Sequence, residues 1–409
     1  ELLWPIAKEQ LPEVVHTAEE FLECMLFEPH LDRVVVLRDG IRLLSQEAGI
    51  PESICQAARA ARSVRQLLHA LGRGAQDALR GRLWHYAKKG FEKEVKKKSE
   101  KKKALSDIVE ELKSKEDSGV VPASAPLYIS EIRWREKVRH PIKAEQLVKT
   151  ATSCDVYDRT PLAERMPLWE RSEGGIFIGE RGAGSGMHVD QCLWSNVGRN
   201  WCGHKLFALW PWSERHAILD EAGKGAVFHL PLTSQEVGFL QRAKTVALLQ
   251  PGDVWVFSGG QPHTALCVGD GLNVCAYESF VPAHPEALGL LVRSNTKSSH
   301  WKPCWMDDED LDELYEDVVD SLQRSLRDPH LEPRLRRRLE ACVAVMREDG
   351  DKYCQDLWRQ EDAGERRRRR EEDESDNERS QASSSPSSGG ASSAQQPAKK
   401  ARTEGAKGC

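Results

Sequence analysis

The segment that most clearly suggests chemistry runs from Gly186 to Asp190, where one residue separates a histidine from a carboxylate. If this segment is a strand, its two-residue period places His188 and Asp190 on the same face. One imidazole and one carboxylate are two of the three ligands in the 2-His-1-carboxylate triad that holds non-haem Fe(II) and leaves other coordination positions open. A lone His-x-Asp pattern is weak because it recurs often by chance. It predicts a metal site only if a second histidine joins it.

His263 is the best-placed second histidine. It follows a Pro-Gly turn at Pro251, an apolar segment from Val254 to Phe257 and a double-glycine turn at Gly259, and it opens the next predicted strand. Two turns around one buried strand return the chain to the same end of a barrel. His263 is therefore the candidate for the missing ligand.

Lys205 is a second kind of candidate, because it opens the apolar segment that continues to Leu209. In a strand its side chain shares a face with Phe207 and points inward. An ammonium group buried without a partner is costly, and the distal carboxylate of a dicarboxylate co-substrate would supply that partner. Ser185, three residues before His188, could donate its hydroxyl to the same carboxylate.

Taken together, these segments resemble the JmjC (jumonji) branch of the cupin-fold Fe(II)- and 2-oxoglutarate-dependent oxygenases. The resemblance covers roughly residues 127 to 281 and rests on four features: the glycine-rich segment before His188, the His-x-Asp pattern, the Gly-His-Lys strand that ends in Trp210-Pro211, and the block from Pro251 to His263. It implies that His188, Asp190 and His263 bind Fe(II). It also implies that Lys205 and Ser185 bind 2-oxoglutarate and that O2 is the oxidant.

Two positions depart from the family pattern. Gly198 stands ten residues after His188, where many members have Asn or Tyr, so Asn196, Ser195 or Asn273 would have to supply that contact with the co-substrate. Cys275 stands twelve residues after His263, where a threonine is often found. Neither departure affects the triad, so activity is expected.

The predicted function is that of an oxygenase acting on a side chain of a protein or peptide, such as a histone or another nuclear protein. Hydroxylation is favoured over demethylation because the sequence has no cysteine and histidine pattern of a chromatin-reading zinc finger. One alternative is a non-catalytic cupin-like module for binding or scaffolding. Another is a metal-dependent cupin of different chemistry, which would not require Lys205. Inward-directed polar residues favour the enzyme.

The expected fold is a mainly β core with α-helical appendages, and the resemblance specifies a double-stranded β-helix of the cupin or jelly-roll type. Short apolar runs of β-branched and aromatic residues, separated by glycine and proline turns, indicate a sandwich or barrel. The predicted strands are Gly175 to Ile178, Lys205 to Leu209, Ala226 to Leu230, Val246 to Leu249, Val254 to Phe257, Thr264 to Val268 and Leu272 to Tyr277.

The rest of the chain divides by composition. A helical N-terminal region is predicted over residues 1–90, with a capping box at Thr17 and Glu20 and a helix that stops at Gly72. A charged linker follows over 91–118, then the oxygenase domain over 119–300 and amphipathic helices over 301–360 that pack on the barrel or form a homodimer. Residues 361–409 contain no large apolar or aromatic side chain and are predicted to be disordered.

Composition and charge exclude several classes of protein and suggest a cellular location. The 409 residues carry a net charge of -5, which argues against a wholly basic nucleic-acid-binding protein. No run of about 18 apolar residues occurs, so no membrane span is expected, and scattered cysteines without a CxxC pair fit reduced thiols. Basic clusters at Arg366 to Arg370 and Lys399 to Arg402 predict a nuclear location, with the cytoplasm as the alternative. Because the first residue is Glu1, residues before it are expected.

Overall fold

Two β-sheets, rich in antiparallel pairs, organise the chain. The computed structural model describes residues 6–28, 31–44, 58–85, 102–119, 125–134, 169–190, 195–222, 228, 230–281, 283–294 and 318–347. The strands in chain order are β1 (Glu13–Val15), β2 (Val34–Leu37), β3 (Leu79–His85), β4 (Lys103–Ala104), β5 (Leu127–Trp134), β6 (Trp169–Gly179), β7 (Gly184–His188), β8 (Ser195–Cys202), β9 (Lys205–Leu209), β10 (Thr245–Leu249), β11 (Val254–Ser258), β12 (His263–Cys267) and β13 (Asn273–Val281).

The larger sheet has nine strands in the order β1-β2-β11-β8-β13-β6-β5-β3-β4, and the smaller has four in the order β10-β9-β12-β7. Strand β1 pairs with β2 in parallel, and the other pairs described are antiparallel. Between β6 and β13 the chain passes back and forth between the two sheets. The predicted mainly β core is confirmed, and the arrangement is compatible with a β-sandwich.

Alternation along the strands separates two apolar clusters. Trp255 and Phe257 of β11 pack with Phe207 and Leu209 of β9, in a cluster that joins the two sheets. The intervening residues of β11 belong to a second cluster, which also includes buried leucines of several helices. The larger sheet is therefore covered by helices on one face and by the smaller sheet on the other.

The helices are α1 (Ala18–Phe27), α2 (Gly40–Leu44), α3 (Val64–Ala78), α4 (Leu105–Asp117), α5 (Arg215–Ala222), α6 (Ser234–Leu240), α7 (Pro285–Ser294) and α8 (Pro333–Arg347), with short 3-10 turns at Lys8–Gln10 and Trp212–Glu214. Residues 318–326 are also helical. Within the described part of the chain, no helix combines the length and the apolar character that crossing a membrane requires.

Six of the seven predicted strands coincide with observed strands. The segment predicted from Ala226 to Leu230 lies mostly outside the described residues, and Phe228 and Leu230 within it are not in a strand. The capping box at Thr17 and Glu20 is confirmed. The helix stop at Gly72 is also confirmed, because its φ of 74° interrupts the helical geometry of α3.

The N-terminal segment is mixed rather than purely helical. Strands β1 and β2 extend the larger sheet beyond β11, and β3 pairs with β5 on its other side. The valine run of β2 is fully buried, and β-branched residues favour the extended backbone there. Helix α4 lies within the segment predicted as a charged linker. All described residues belong to one compact unit, Glu1–Cys354, and the tail from 361 onward lies outside them.

The C-terminal helices pack within this unit. Leu335, Leu339 and Cys342 of α8 are fully buried, and they share a cluster with Val318 and Leu322 from the preceding helical residues. This apolar stripe is therefore covered by the chain's own core. A homodimer through the C-terminal helices stays a prediction, and it would need other residues of these helices.

Glu180, next to β6, connects three elements. Its carboxylate accepts the backbone N–H of Val64 at the start of α3 at 2.8 Å and that of Leu127 at the start of β5 at 3.0 Å. Glu180→Ala leaves both donors without this acceptor, so we expect the free energy of unfolding to fall by about 1 to 3 kcal/mol. The measurement is chemical denaturation.

Glu221→Ala is the matched control, because the one polar contact of the Glu221 side chain with other described residues is an exposed ion pair with Arg242 at 2.7 Å. Its removal should change the free energy of unfolding by less than about 1 kcal/mol. Equal effects of the two substitutions would contradict the connecting role of Glu180.

Candidate metal centre

Three potential metal ligands converge where β7 ends and β12 begins. His188 is the last residue of β7, His263 is the first of β12, and the two are directly opposite each other in the register. The Nε2 atoms of His188 and His263 lie 3.4 and 3.8 Å from the same Oδ1 atom of Asp190. One ligand atom from each residue lies within 4.8 Å of the others. The group can hold a metal ion.

A β-bulge determines which side chains of β7 can face the interior. His188 pairs with His263 and Ser185 with Ala265, so three steps along β7 match two steps along β12. In a regular strand, residues three apart point to opposite faces, but one extra residue in the bulge cancels this difference. Met187 packs into the cluster on the outer side of the smaller sheet. Ser185 and His188 can thereby both face the interior.

Backbone carbonyls orient both imidazoles. His188 Nδ1 lies 2.6 Å from the carbonyl oxygen of Gly186, and His263 Nδ1 lies 2.8 Å from that of Gln261. A carbonyl oxygen only accepts, so each Nδ1 carries the hydrogen and each Nε2 keeps its lone pair toward Asp190. Burial and the neighbouring His188 lower the pKa of His263 to about 4, although Asp190 opposes the shift. At neutral pH, His263 is therefore a neutral ligand.

Asp190 is held by its side chain and by its backbone. Its Oδ2 accepts the amide Nδ2–H of Asn196 from β8 at 2.6 Å, and its backbone N–H donates to Gly259 at 2.9 Å. Burial alone raises the pKa of Asp190, but His263, His188 and Asn196 together outweigh it and hold that pKa below the ordinary value. Asp190 is therefore an anionic ligand with a fixed orientation.

A second layer, which sequence reasoning missed, supports His263. The side chain of Gln261 is fully buried. Its Nε2 donates to Asp32 Oδ1 at 2.6 Å and to the carbonyl of Trp210 at 3.0 Å, while its Oε1 accepts the N–H of Asp32 at 2.7 Å. The loop between α1 and β2 thus fixes the residue whose carbonyl orients His263. Only the position of Gln261, two residues before the histidine, could have suggested this role.

Lys205 lies fully buried at the start of β9. Its Nζ donates to the Sγ atom of Cys275 at 2.8 Å and lies 5.7 and 5.3 Å from the ring centroids of Tyr128 and Tyr277. Burial by itself lowers the pKa of Lys205, but Cys275 and the two phenol groups raise it well above its ordinary value. The lysine therefore stays protonated. Among the described residues, the structure gives it no ion pair with a carboxylate.

Ser185 belongs to the same polar group. Its Oγ lies 2.9 Å from the phenol oxygen of Tyr128, and its carbonyl accepts the hydroxyl of Thr264 at 2.7 Å. Sequence reasoning assigned no role to Tyr128 or Tyr277. The alternation of β13 could have indicated Tyr277, because it lies two residues after Cys275 and shares its face.

Asn196 and Asn273, the two asparagines predicted to contact a co-substrate, direct their amides elsewhere. Asn196 donates to Asp190, as described above. The Nδ2 of Asn273 donates to Asn200 Oδ1 at 2.7 Å and to the carbonyl of Cys202 at 3.0 Å. Both amide hydrogens of Asn273 are thereby used within the protein. Contacts of these residues with a co-substrate stay predictions.

The structure explains why position 198 is a glycine. A Cβ atom there would lie 2.2 to 2.6 Å from atoms of the Trp255 indole. Gly198 pairs directly with Trp255 of β11 on one side and with Tyr277 of β13 on the other. The indole therefore occupies the space into which a larger residue at 198 would project.

No family model matches the chain, and no curated protein matches it. The assignment of a function therefore depends on the geometry of the site.

Asn196→Ala tests the support of Asp190. Removing the amide frees the carboxylate to rotate, and loss of such supporting hydrogen bonds typically lowers metal affinity about 10- to 100-fold. We expect a decrease of this size in calorimetric titration with Mn(II).

Asn200→Ala is the control, because Asn200 lies on the same face of β8 but contacts Gly203 and Asn273 instead of Asp190. Its metal affinity should stay near that of the wild type. A similar loss in both variants would mean that the effect comes from strand β8 in general.

Proposed function

We propose that the protein is an Fe(II)- and 2-oxoglutarate-dependent oxygenase of the JmjC type that hydroxylates a side chain of a protein or peptide. Demethylation of such a side chain is the alternative outcome of the same chemistry. The observation that carries the proposal is the combination of a His-Asp-His group with a buried, protonated lysine on adjacent strands. His263 opens β12, and Lys205 opens the neighbouring β9.

The strand order supports the double-stranded β-helix that this class requires. Strands β6, β13, β8 and β11 are contiguous in the larger sheet, and β7, β12, β9 and β10 form the smaller one. The eight consecutive strands from β6 to β13 thus alternate between two facing four-stranded arrays, apart from the adjacent pair β9 and β10. This winding is compatible with a jelly roll and supports that part of the proposal.

The donor set fits Fe(II). Two neutral imidazole nitrogens and one carboxylate are the ligands of the facial triad in non-haem iron oxygenases. His188 and Asp190 side chains are 34% and 33% exposed, whereas that of His263 is 5% exposed. The triad therefore sits at the end of the interior that opens to solvent, where a substrate side chain can approach.

The lysine fits 2-oxoglutarate. The register of β12 gives the order of the site residues from the opening inward. His263 pairs with His188 at the opening, Ala265 with Ser185 next, and Cys267 with Lys205 farthest in. A co-substrate held by the triad at one end would extend past Ser185 toward the ammonium of Lys205. That ammonium has a thiol and phenols around it, and a carboxylate would provide the opposite charge that a buried cation needs.

When bound, iron with 2-oxoglutarate and O2 supplies the oxidation: one oxygen atom enters a substrate C–H bond and the other enters succinate as CO2 is released. The protein's residues position and shield this reaction. Lys205 and Ser185 hold the co-substrate carboxylate, and Asn196 and Gln261 keep the ligands in place. The rings of Phe257 and Phe207, centred 5.0 and 5.9 Å from the His263 ring, exclude water from the inner side.

The substrate class and location belong to the same proposal. A side chain of a protein or peptide, including a histone or another nuclear protein, would reach the triad from the exposed side of His188 and Asp190. The basic clusters behind the proposed nuclear location lie outside the described residues.

The first test is turnover in the absence of any substrate. Wild-type protein with Fe(II) and O2 should convert 2-oxoglutarate to succinate, because the proposed site binds the metal and the co-substrate through its own residues. His188→Ala and Asp190→Ala should each abolish succinate formation, since two ligands hold the metal weakly, while the melting temperature changes little. Succinate is quantified by mass spectrometry. Undiminished metal binding by the double variant would refute the ligand assignment, and metal binding without succinate would favour the scaffold.

Lys205→Met tests the co-substrate anchor. Methionine keeps most of the bulk and removes the charge, and a hydrogen bond to a charged group contributes about 1.5 to 3 kcal/mol. We therefore expect 2-oxoglutarate to bind about 10- to 100-fold more weakly, with metal affinity unchanged, and Ser185→Ala to act by a smaller factor. Affinity is measured by titrating the metal-loaded protein.

Lys244→Met is the matched control, because Lys244 is exposed just before β10. It should bind 2-oxoglutarate like the wild type. If Lys205→Met also did so, the anchor would be misassigned and a metal-dependent cupin of another chemistry would be the better interpretation.

A further inference from the structure

Trp255 carries a buried hydrogen-bond donor that nothing in the described structure satisfies. Its side chain is fully buried in β11, and its Nε1 atom has no hydrogen-bond partner among the described residues. Buried indole N–H groups usually find a partner, because an unpaired donor in the interior loses its hydration without compensation. Among the described residues nothing satisfies this N–H, so it is available to a bound ligand.

The indole lies beside the lysine pocket. Trp255, Gly198 and Tyr277 form one row across β11, β8 and β13. Because Gly198 has no side chain, the indole packs directly against its Cα atom. The indole also contacts the Tyr277 ring edge-on, with centroids 5.3 Å apart. The ammonium of Lys205 also lies 5.3 Å from the centroid of the Tyr277 ring. The indole of Trp255 and the buried cation therefore border the same aromatic ring.

The chemistry of Lys205 and of the Trp255 N–H indicates which kind of ligand would bind beside them. Within the described part of the chain the ammonium has no carboxylate partner and the indole N–H has no acceptor, and an anionic oxygen of a ligand would satisfy both. Asn273 cannot be the additional donor in this arrangement, since its remaining unpaired atom is the acceptor Oδ1. The amide of Asn196 is held by Asp190 at the other end of the site.

We infer that the Nε1–H of Trp255 donates a hydrogen bond to the carboxylate of 2-oxoglutarate that pairs with Lys205. The inference rests on the proposed function and adds a residue to its co-substrate site. Gly198 has no side chain that could contact the co-substrate, and its small size leaves space for the Trp255 indole. The indole N–H then provides the contact that a side chain at position 198 would otherwise make. Trp255 thereby compensates for the departure of position 198 from the family pattern.

Trp255→Phe removes the donor and keeps an aromatic ring. We expect the Kd of 2-oxoglutarate for the Zn(II)-loaded full chain to rise about 10- to 100-fold, because the lost hydrogen bond has a charged acceptor, while Zn(II) affinity stays the same. Trp201→Phe is the control, since Trp201 is a buried tryptophan in the cluster on the other face of the larger sheet. Its Kd should change less than about twofold.

A second measurement follows the indole of the wild-type protein and uses the variant only to assign its resonance. In wild-type protein with 15N-labelled indoles and Zn(II), the Nε1–H resonance that is missing in Trp255→Phe should shift downfield as 2-oxoglutarate is added, since a new hydrogen bond deshields the proton. An unmoved resonance at saturation, or a Trp255→Phe variant that titrates like the wild type, overturns the inference alone. Failure of the wild type to bind 2-oxoglutarate overturns the proposed function as well.

Discussion

The pairing of β7 with β12 is the interaction on which the candidate site depends. It sets His188 directly opposite His263 and brings their ring centroids to 4.2 Å. Two rings this close would repel each other if both were protonated, and the low pKa of His263 reflects burial and that neighbour. Asp190, which follows the same strand, then faces both Nε2 atoms. A one-residue slip in this register would turn one histidine away and destroy the group.

The bulge in β7 adds a second consequence. It lets Ser185 face the interior together with His188, so a single short strand serves both ends of the proposed site. The hydroxyl of Thr264 donates to the carbonyl of Ser185 near the irregular pairing. This bond helps hold an edge strand whose regular ladder is interrupted. Both ends of the site therefore depend on the same local distortion.

The buried charge of Lys205 imposes the other constraint. An ammonium in an apolar interior is tolerated only when polar groups surround it. Cys275, Tyr128 and Tyr277 provide those groups from β13 and β5, which are both strands of the larger sheet, whereas Lys205 belongs to the smaller one. The pocket forms only when the two sheets face each other. Packing of the sheets and formation of the lysine pocket therefore occur together.

The sequence by itself determined the identities of the candidate ligands and most of the strands that carry them. Residue type and two-residue spacing sufficed for His188 and Asp190, and turn residues on both sides of an apolar run located His263. The sequence also predicted an inward-facing Lys205 and the capped start of α1. These features are local, because each depends on a few neighbouring residues and on backbone geometry.

Only the tertiary structure decided what lies beside those residues. Strand β8 escaped prediction because its inward face carries Asn196, Gly198 and Asn200, polar or small residues that give no apolar alternation. The glycine at 198 looked like a missing contact until Trp255 of another strand was seen to fill its space. Gln261 supports the site through Asp32, which is 229 residues away. Such contacts arise from the pairing of distant strands, and local residue patterns contain no record of that pairing.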